Sequence, residues 1–196
     1  ATVRNADVGV GTGAGVLFMV KNYTGDRGQF GMACEMCEMD DINAKIVIAD
    51  DDVAVKDSTF TAGRRGVAGA ILGYKIVCAA AEEGKSLDEV FAIAEKFNKR
   101  IATLAVAMTG CTHPQNGQPI TELGDDEMEI GMGQHGEGGG GRSRILTADE
   151  TTKIMFGDLS KALSLKAGEK IFVGMNGVGA TTPMELAIVF RAVKKL

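Results

Sequence analysis

The sequence contains no tryptophan, two tyrosines, three prolines, four cysteines and two histidines among 196 residues. Cysteines at 34, 37, 78 and 111 are too few and too scattered to form a disulfide scaffold. Without an export signal they read as reduced thiols of a cytoplasmic protein. Cys34 and Cys37 have a zinc-like spacing, but a zinc site needs four ligands and no second pair follows, so no metal is expected. No apolar run reaches the ~18 residues of a membrane span. Ala1-Thr-Val-Arg4 is followed by no signal-type apolar segment. A basic excess is also missing: 21 Lys and Arg stand against 26 Asp and Glu, giving a net charge of −5 and no nucleic-acid footprint. The basic pairs Lys99-Arg100 and Lys194-Lys195 fall at the ends of predicted helices, where cations are favoured.

What is present is an alternation of strands and helices. Val16-Leu-Phe-Met-Val20 and Lys45-Ile-Val-Ile-Ala49 are short continuous apolar runs, the pattern of strands buried on both faces. Residues 28–40 read as a helix weakened at its start by Gly28 and Gly31, and residues 66–82 as a buried helix. Ser86 with Glu89 forms a capping box, after which Leu87, Val90, Phe91, Ala94 and Phe97 share one face. A strand is predicted over about 101–108, then an irregular stretch from Thr109 to Arg144. Thr147 with Glu150 opens another helix, running to about Leu163. Lys170-Ile-Phe-Val173 is predicted as a strand, and Thr182, Pro183 and Glu185 start the last helix. These elements predict an α/β fold of two lobes, residues 1–100 and 101–196, with mostly parallel or mixed sheets flanked by helices.

Candidate chemistry concentrates in two places. Lys21-Asn-Tyr-Thr-Gly-Asp26 follows a buried strand, and in open α/β sheets ligands bind beyond the carboxyl ends of strands. The alternative is a strand-end turn with Asp26 capping the next helix. His135 stands in Ile130-Gly-Met-Gly-Gln-His-Gly-Glu-Gly-Gly, where glycine permits unusual backbone angles and close approach of a ligand. Its imidazole suits a base, a metal ligand or a nucleophile, against the alternative of a solvated loop histidine. His113 precedes Pro114 and reads as a turn residue. Asp50-Asp-Asp52 reads as a solvated loop or helix cap rather than a cation site. Gly11-x-Gly-x-Gly15 precedes its strand, the wrong side for a dinucleotide fingerprint. The Gly174–Gly179 loop lacks the Lys-Ser/Thr of a Walker sequence and reads as structural.

Several blocks together resemble one family. Val20-Lys-Asn-Tyr-Thr-Gly-Asp26, Asp50-Asp-Asp-Val-Ala-Val55, Thr61-Ala-Gly-Arg-Arg-Gly-Val67, Ala79-Ala-Ala-Glu82, Asp126-Glu-Met-Glu129 and His135-Gly-Glu137 are similar, in order and spacing, to the substrate-binding K subunit or domain of dihydroxyacetone (glycerone) kinases. The resemblance implies that His135 matches the histidine that binds the ketone carbon as a covalent hemiaminal. It implies that Asp26 matches the carboxylate that helps transfer the hydroxyl proton, and that Lys21 matches the lysine beside the substrate. It further implies no cofactor in this chain. ATP, or ADP with Mg²⁺, is expected on a nucleotide-binding L-type subunit or a fused domain, and the K subunit is expected to be a homodimer. The family's earlier glycine-rich block, with another active-site histidine, is not in this sequence, and the family continues beyond the last helix. Gly138 replaces the family's proline, and Gln29-Phe30 its usual Asn-Phe. A second reading is a non-catalytic dihydroxyacetone-binding paralogue that acts as a sensor and co-activator of a transcription factor.

Overall fold

The computed structural model describes residues 13–55 and 63–196. Thr61-Ala62 of one family block, and Gly11 of the first glycine motif, lie outside the described residues. The chain forms two compact units, Ala1–Ile101 and Ala102–Leu196.

In the first unit, β1 (Val16–Lys21) pairs in parallel with β2 (Ala44–Ala49), from Val16↔Ala44 to Lys21↔Ala49. Side chains alternate between faces along a strand, and both faces are covered. Phe18, Val20, Ile46 and Ile48 pack with Phe30, Ala33 and Cys37 of α1 (Thr24–Met39). On the other side Leu17, Met19 and Val47 pack with Val77 and Ala80 of α2 (Gly69–Glu82) and Val90 and Ala94 of α3 (Leu87–Asn98). Two-sided burial is why both strands read as unbroken apolar runs.

Helix α1 begins at Thr24, four residues before the predicted start, because extended Tyr23 serves as its N-cap. Asp26 therefore does not cap this helix; it occupies the first turn, where a carboxylate complements the helix dipole. The Cys34–Cys37 pair is a helix-face feature: Cys37 is in the core and both thiols are free. Burial, then the charges of Glu38 and Glu35, push the Cys34 thiol up, which disfavours a reactive thiolate.

In the second unit β3 (Val106–Ala107), β4 (Glu127–Ile130) and β5 (Gly141–Arg144) form an antiparallel sheet in the order β3-β4-β5. Helices α4 (Ala148–Leu163) and α5 (Pro183–Val193) accompany it, joined by an ion pair between Arg191 and Asp149. All three predicted capping boxes form, at Ser86/Glu89, Thr147/Glu150 and Thr182/Glu185.

Two strand predictions need correction. The predicted strand over about 101–108 contracts to Val106–Ala107. Lys170–Val173 is no strand: no described strand pairs with it, and Phe172 is 77% exposed. A short apolar run marks a segment fit for a sheet, but only a partner's backbone makes it one. Strands β4 and β5 lie inside the stretch that reads as irregular. Four-residue strands, one of them Gly-Arg-Ser-Arg, are too short and polar to announce themselves.

Candidate functional site

At the carboxyl edge of the β1–β2 sheet three segments meet: Asn22–Asp26 after β1, Asp50–Asp52 after β2, and Arg64–Gly69 leading into α2. The Asn22 N–H donates to the Ala49 carbonyl at 2.9 Å, and the Asn22 amide donates to the Arg64 carbonyl at 2.6 Å. Arg27 in turn donates to Asn22 Oδ1 at 3.2 Å. Gly66 lies flat against both strand ends, where a Cβ would stand 2.3 Å from the Ala49 oxygen.

Two of the three aspartates, Asp51 and Asp52, are buried and Asp50 is half-buried, which overturns the reading as a solvated loop while keeping a cap. Asp51 is 1% exposed; its Oδ1 accepts the Val67 N–H at 3.0 Å and its Oδ2 the Gly69 N–H at 2.9 Å. Those bonds satisfy donors at the start of α2, whose N-cap Ala68 has no side-chain acceptor. Asp52 is paired with the fully buried Arg65, Oδ2 accepting from Nε at 2.8 Å and lying 2.7 Å from Nη2. Burial pushes the Asp52 carboxyl up, against the pull of the Ala54 N–H and the Arg65 guanidinium. Asp50 accepts from Asn98 Nδ2 at 2.9 Å.

On this frame Lys21 is half-buried and Asp26 exposed. Tyr74 of α2 feels Asp26: its hydroxyl is pushed up by burial first, then by the charges of Asp26 and Asp51. Nothing in the sequence marked Tyr74, which α2 brings toward Asp26 through packing alone.

His135 is in the second unit, in the loop that joins β4 to β5. The loop is tied down at many points. Gly131 N–H donates to the Ala105 carbonyl and Gly140 N–H to the Ile130 carbonyl, both at 2.7 Å. The Gly139 N–H donates to buried Glu129 at 3.0 Å. Gly136 has φ 83°, and a Cβ there would sit 2.5 Å from Ile120 Cγ2, so glycine is needed on both counts. Its carbonyl accepts from Thr121 Oγ1 at 2.7 Å. Thr121 also lines a cavity of about 340 Å³ with Thr109, Gly110, Pro119, Glu122 and Leu123.

The imidazole stands out from this fixed loop with its side chain 60% exposed. Glu137, 9% exposed, faces it: Oε1 is 3.5 Å from Nδ1, and Oε2 accepts the His135 backbone N–H at 2.9 Å. Burial pushes the Glu137 carboxyl up, but the N–H groups of Glu137 and His135 and the imidazole outweigh it and hold the group below the usual carboxylate range. Sequence reading assigns Glu137 no role of its own; a carboxylate two residues from a loop histidine was the available signal.

Other candidates are structural. His113 heads a turn in which its carbonyl accepts the Gly117 N–H and its Nδ1 faces the Gln115 N–H. The helix after the Gly174–Gly179 loop has Glu185 bound at its N-terminus, where a phosphate would have to sit. Among the described residues no group of three or more His, Cys, Asp or Glu side chains is placed to hold a metal, and no helix is long and apolar enough to cross a membrane.

Comparison with known proteins places this geometry in a family. The chain is 50% identical over 173 residues to the dihydroxyacetone-binding subunit of a PTS-dependent dihydroxyacetone kinase from Listeria innocua, covering 88% of this chain and 53% of that protein. The structure of the dihydroxyacetone kinase from C. freundii in complex with AMP-PNP and Mg²⁺ superposes with a TM-score of 0.84 and 32% identity, covering 97% of this chain and 35% of that one. A dihydroxyacetone kinase operon co-activator, Dha-DhaQ, matches with a TM-score of 0.86 and 29% identity over 98% of this chain and 60% of that one. The chain spans somewhat over half the length of the curated bacterial subunits it matches. The Dak1 domain model matches residues 1–196, and with the α/β units and the His135 loop described above the chain belongs to the Dak1 domain family.

Proposed function

We propose that this chain is the dihydroxyacetone-binding component of a dihydroxyacetone kinase, and that His135 holds the ketone covalently as a hemiaminal. The observation that carries the reading is the His135 imidazole, exposed on a rigid glycine loop with an ionised carboxylate behind it. A histidine so placed is available to a small ligand and is not absorbed in a core. Reversible addition of an imidazole nitrogen to a short ketone fixes the orientation of an otherwise weak ligand. It also selects ketones and aldehydes over glycerol, which has no carbonyl.

In this reading Lys21 binds substrate beside the reacting hydroxyl, and Asp26 binds the hydroxyl and accepts its proton. A carboxylate suits that task in phosphoryl transfer, where most of the catalysis is positioning and charge stabilisation. The phosphoryl donor, ATP or ADP with Mg²⁺, belongs to a nucleotide-binding partner subunit or fused domain. The protein acts in the cytoplasm as a homodimer.

The deciding experiment is a crystal structure of the full-length protein soaked with dihydroxyacetone. Continuous density from an imidazole nitrogen of His135 to the ligand's carbonyl carbon is expected; ligand bound elsewhere sinks the proposal. The similarity to an operon co-activator supports a second reading, a dihydroxyacetone sensor with the same covalent handle. Phosphoryl transfer to dihydroxyacetone with a donor subunit present separates the two, because a sensor binds the ketone and transfers nothing.

A further inference from the structure

Lys21 and Asp26 are separated by a turn, and Asn22 is its central residue. The Tyr23 N–H donates to the Lys21 carbonyl at 2.8 Å, a three-residue turn that ends β1 and leads the chain into α1. Asn22 is 3% exposed, and a polar side chain so buried must be hydrogen-bonded to be tolerated. Both ends of its amide are used. Nδ2 donates to the Arg64 carbonyl at 2.6 Å, and Oδ1 accepts from Arg27 Nη1 at 3.2 Å. Its backbone N–H donates to the Ala49 carbonyl, at the end of β2, at 2.9 Å. One residue thereby ties together the ends of both strands, the segment before α2 and the first turn of α1. We propose that Asn22 is a positioning residue that sets Asp26 where it accepts the proton of the substrate hydroxyl. This rests on the reading of Asp26 as that acceptor and extends it by naming the group that holds it in place.

Helix α1 depends on such a tie. The helices α3, α4 and α5 each start on a capping box, whereas the N-cap of α1, Tyr23, supplies no side-chain cap. The bond from Arg27 to Asn22 reaches from the fourth residue of α1 back to the residue before the cap. Asp26 stands inside that strap, between Tyr23 and Arg27, whose N–H donates to the Tyr23 carbonyl at 2.9 Å. The opposite side is closed by backbone. A Cβ on Gly66 would lie 2.8 Å from the Asn22 nitrogen and 2.9 Å from Lys21 Cα. Asn22 therefore cannot slide toward the Gly66 segment, and its amide bonds keep it from swinging away.

Loss of the amide should fall on one of the two candidate residues. Asp26 is exposed, so its place is set by the backbone of the first turn and not by packing around the carboxylate. A displacement of about 1 Å at a reacting group can cost ~10²-fold in rate. Lys21 is the last residue of β1, in register with Ala49, and the strand pairing holds it without help from the Asn22 side chain. Proton transfer should therefore suffer while ketone binding is kept. A carboxamide does not take up a proton in this range, so Asn22 itself is no substitute acceptor. A residue that merely stabilised the fold would act the same way whether or not Asp26 were present.

The test is a double-mutant cycle on the full-length protein with the donor subunit present, read as kcat for phosphoryl transfer and, by calorimetry, as affinity for dihydroxyacetone. Asp26→Asn alone should lower kcat by ~10²–10⁴. Asn22→Ala alone should lower kcat by ~10²-fold with ketone affinity nearly unchanged. In the Asp26→Asn background the same Asn22→Ala change should cost almost nothing further, because no proton acceptor is left to misplace. Losses that multiply, a native kcat for Asn22→Ala, or a ketone affinity that falls as far as kcat each overturn the role of Asn22 and leave the reading of Asp26 standing. A native kcat for Asp26→Asn, or a native protein that transfers no phosphoryl group, overturns that reading and this inference with it. Should Asn22→Ala fail to fold, Asn22→Asp completes the cycle. It keeps the acceptor for Arg27 and loses the donor to the Arg64 carbonyl, and the same outcomes decide.

Discussion

Two glycines should answer the same substitution with opposite signs. At Gly66 an added Cβ would lie 2.3 Å from the Ala49 oxygen, 2.8 Å from the Asn22 nitrogen and 2.9 Å from Lys21 Cα. All three are backbone atoms and cannot rotate away, so the segment must retreat by about 1 Å to reach ordinary contact. Overpacking of this kind costs ~1–3 kcal/mol. The retreat also strains the hydrogen bond from Asn22 to Ala49, worth ~1 kcal/mol. Gly66→Ala should therefore destabilise the first unit by ~2–4 kcal/mol, within the ~5–15 kcal/mol of a stable fold. At Gly28, inside α1, nothing lies within 4 Å of the added Cβ. Gly28→Ala removes only the entropic cost of a helical glycine and should stabilise by ~0.5–1 kcal/mol. Hydrogen exchange of the β1 and β2 amides measures both, because it reports opening of this unit rather than of the whole chain. A Gly66→Ala protein within ~0.5 kcal/mol of native, on the scale of an ordinary surface change, would refute the view that these strand ends are closed by backbone contact.

Three further outcomes are expected. Asp51→Ala leaves the Val67 and Gly69 N–H groups buried without their acceptor and should cost ~3–5 kcal/mol in chemical unfolding, with Asp51→Asn losing about half of that because an amide offers one acceptor oxygen; a loss below ~1 kcal/mol would show that water replaces the carboxylate. Asp26→Asn, measured with the donor subunit, should lower kcat by ~10²–10⁴ while changing ketone binding far less; equal losses in both would assign Asp26 to binding. Acidification should destabilise the fold: Glu89, Glu150 and Glu185 are held low by their cap hydrogen bonds, and Glu137 by its N–H partners and the imidazole in spite of burial. Folded values below the ordinary 4.5 mean stability fully present above that pH and lost as pH falls through the folded values. Asp52, raised by burial, works the other way but is one group against four. The melting temperature should fall steadily below about pH 4.5; a rise over that window would contradict the assignment.

The sequence alone determined what depends on neighbours a few residues away or on bulk burial. Each capping box closes within four residues, so Ser86, Thr147 and Thr182 could be read directly. Residues Val16–Val20 and Lys45–Ala49 were legible because a strand covered on both faces must be apolar throughout. The glycine spacing around His135 and the family blocks pointed to the candidate residues. What those residues touch depends on segments far away along the chain. Three consecutive aspartates look alike in sequence, yet Asp51 caps α2, Asp52 pairs with Arg65 and Asp50 meets Asn98, partners 13 to 48 residues away. Lys170–Val173 carries the pattern of a strand and lacks a described partner, while polar Gly141–Arg144 becomes a strand because β4 supplies one. The orientation of Glu137 toward Nδ1 is of the same kind, set by a loop closed through Gly133 and Gly136. Local rules fix which conformations a segment favours, but hydrogen-bond partners distant in sequence are chosen by packing, and at this site packing sets the chemistry.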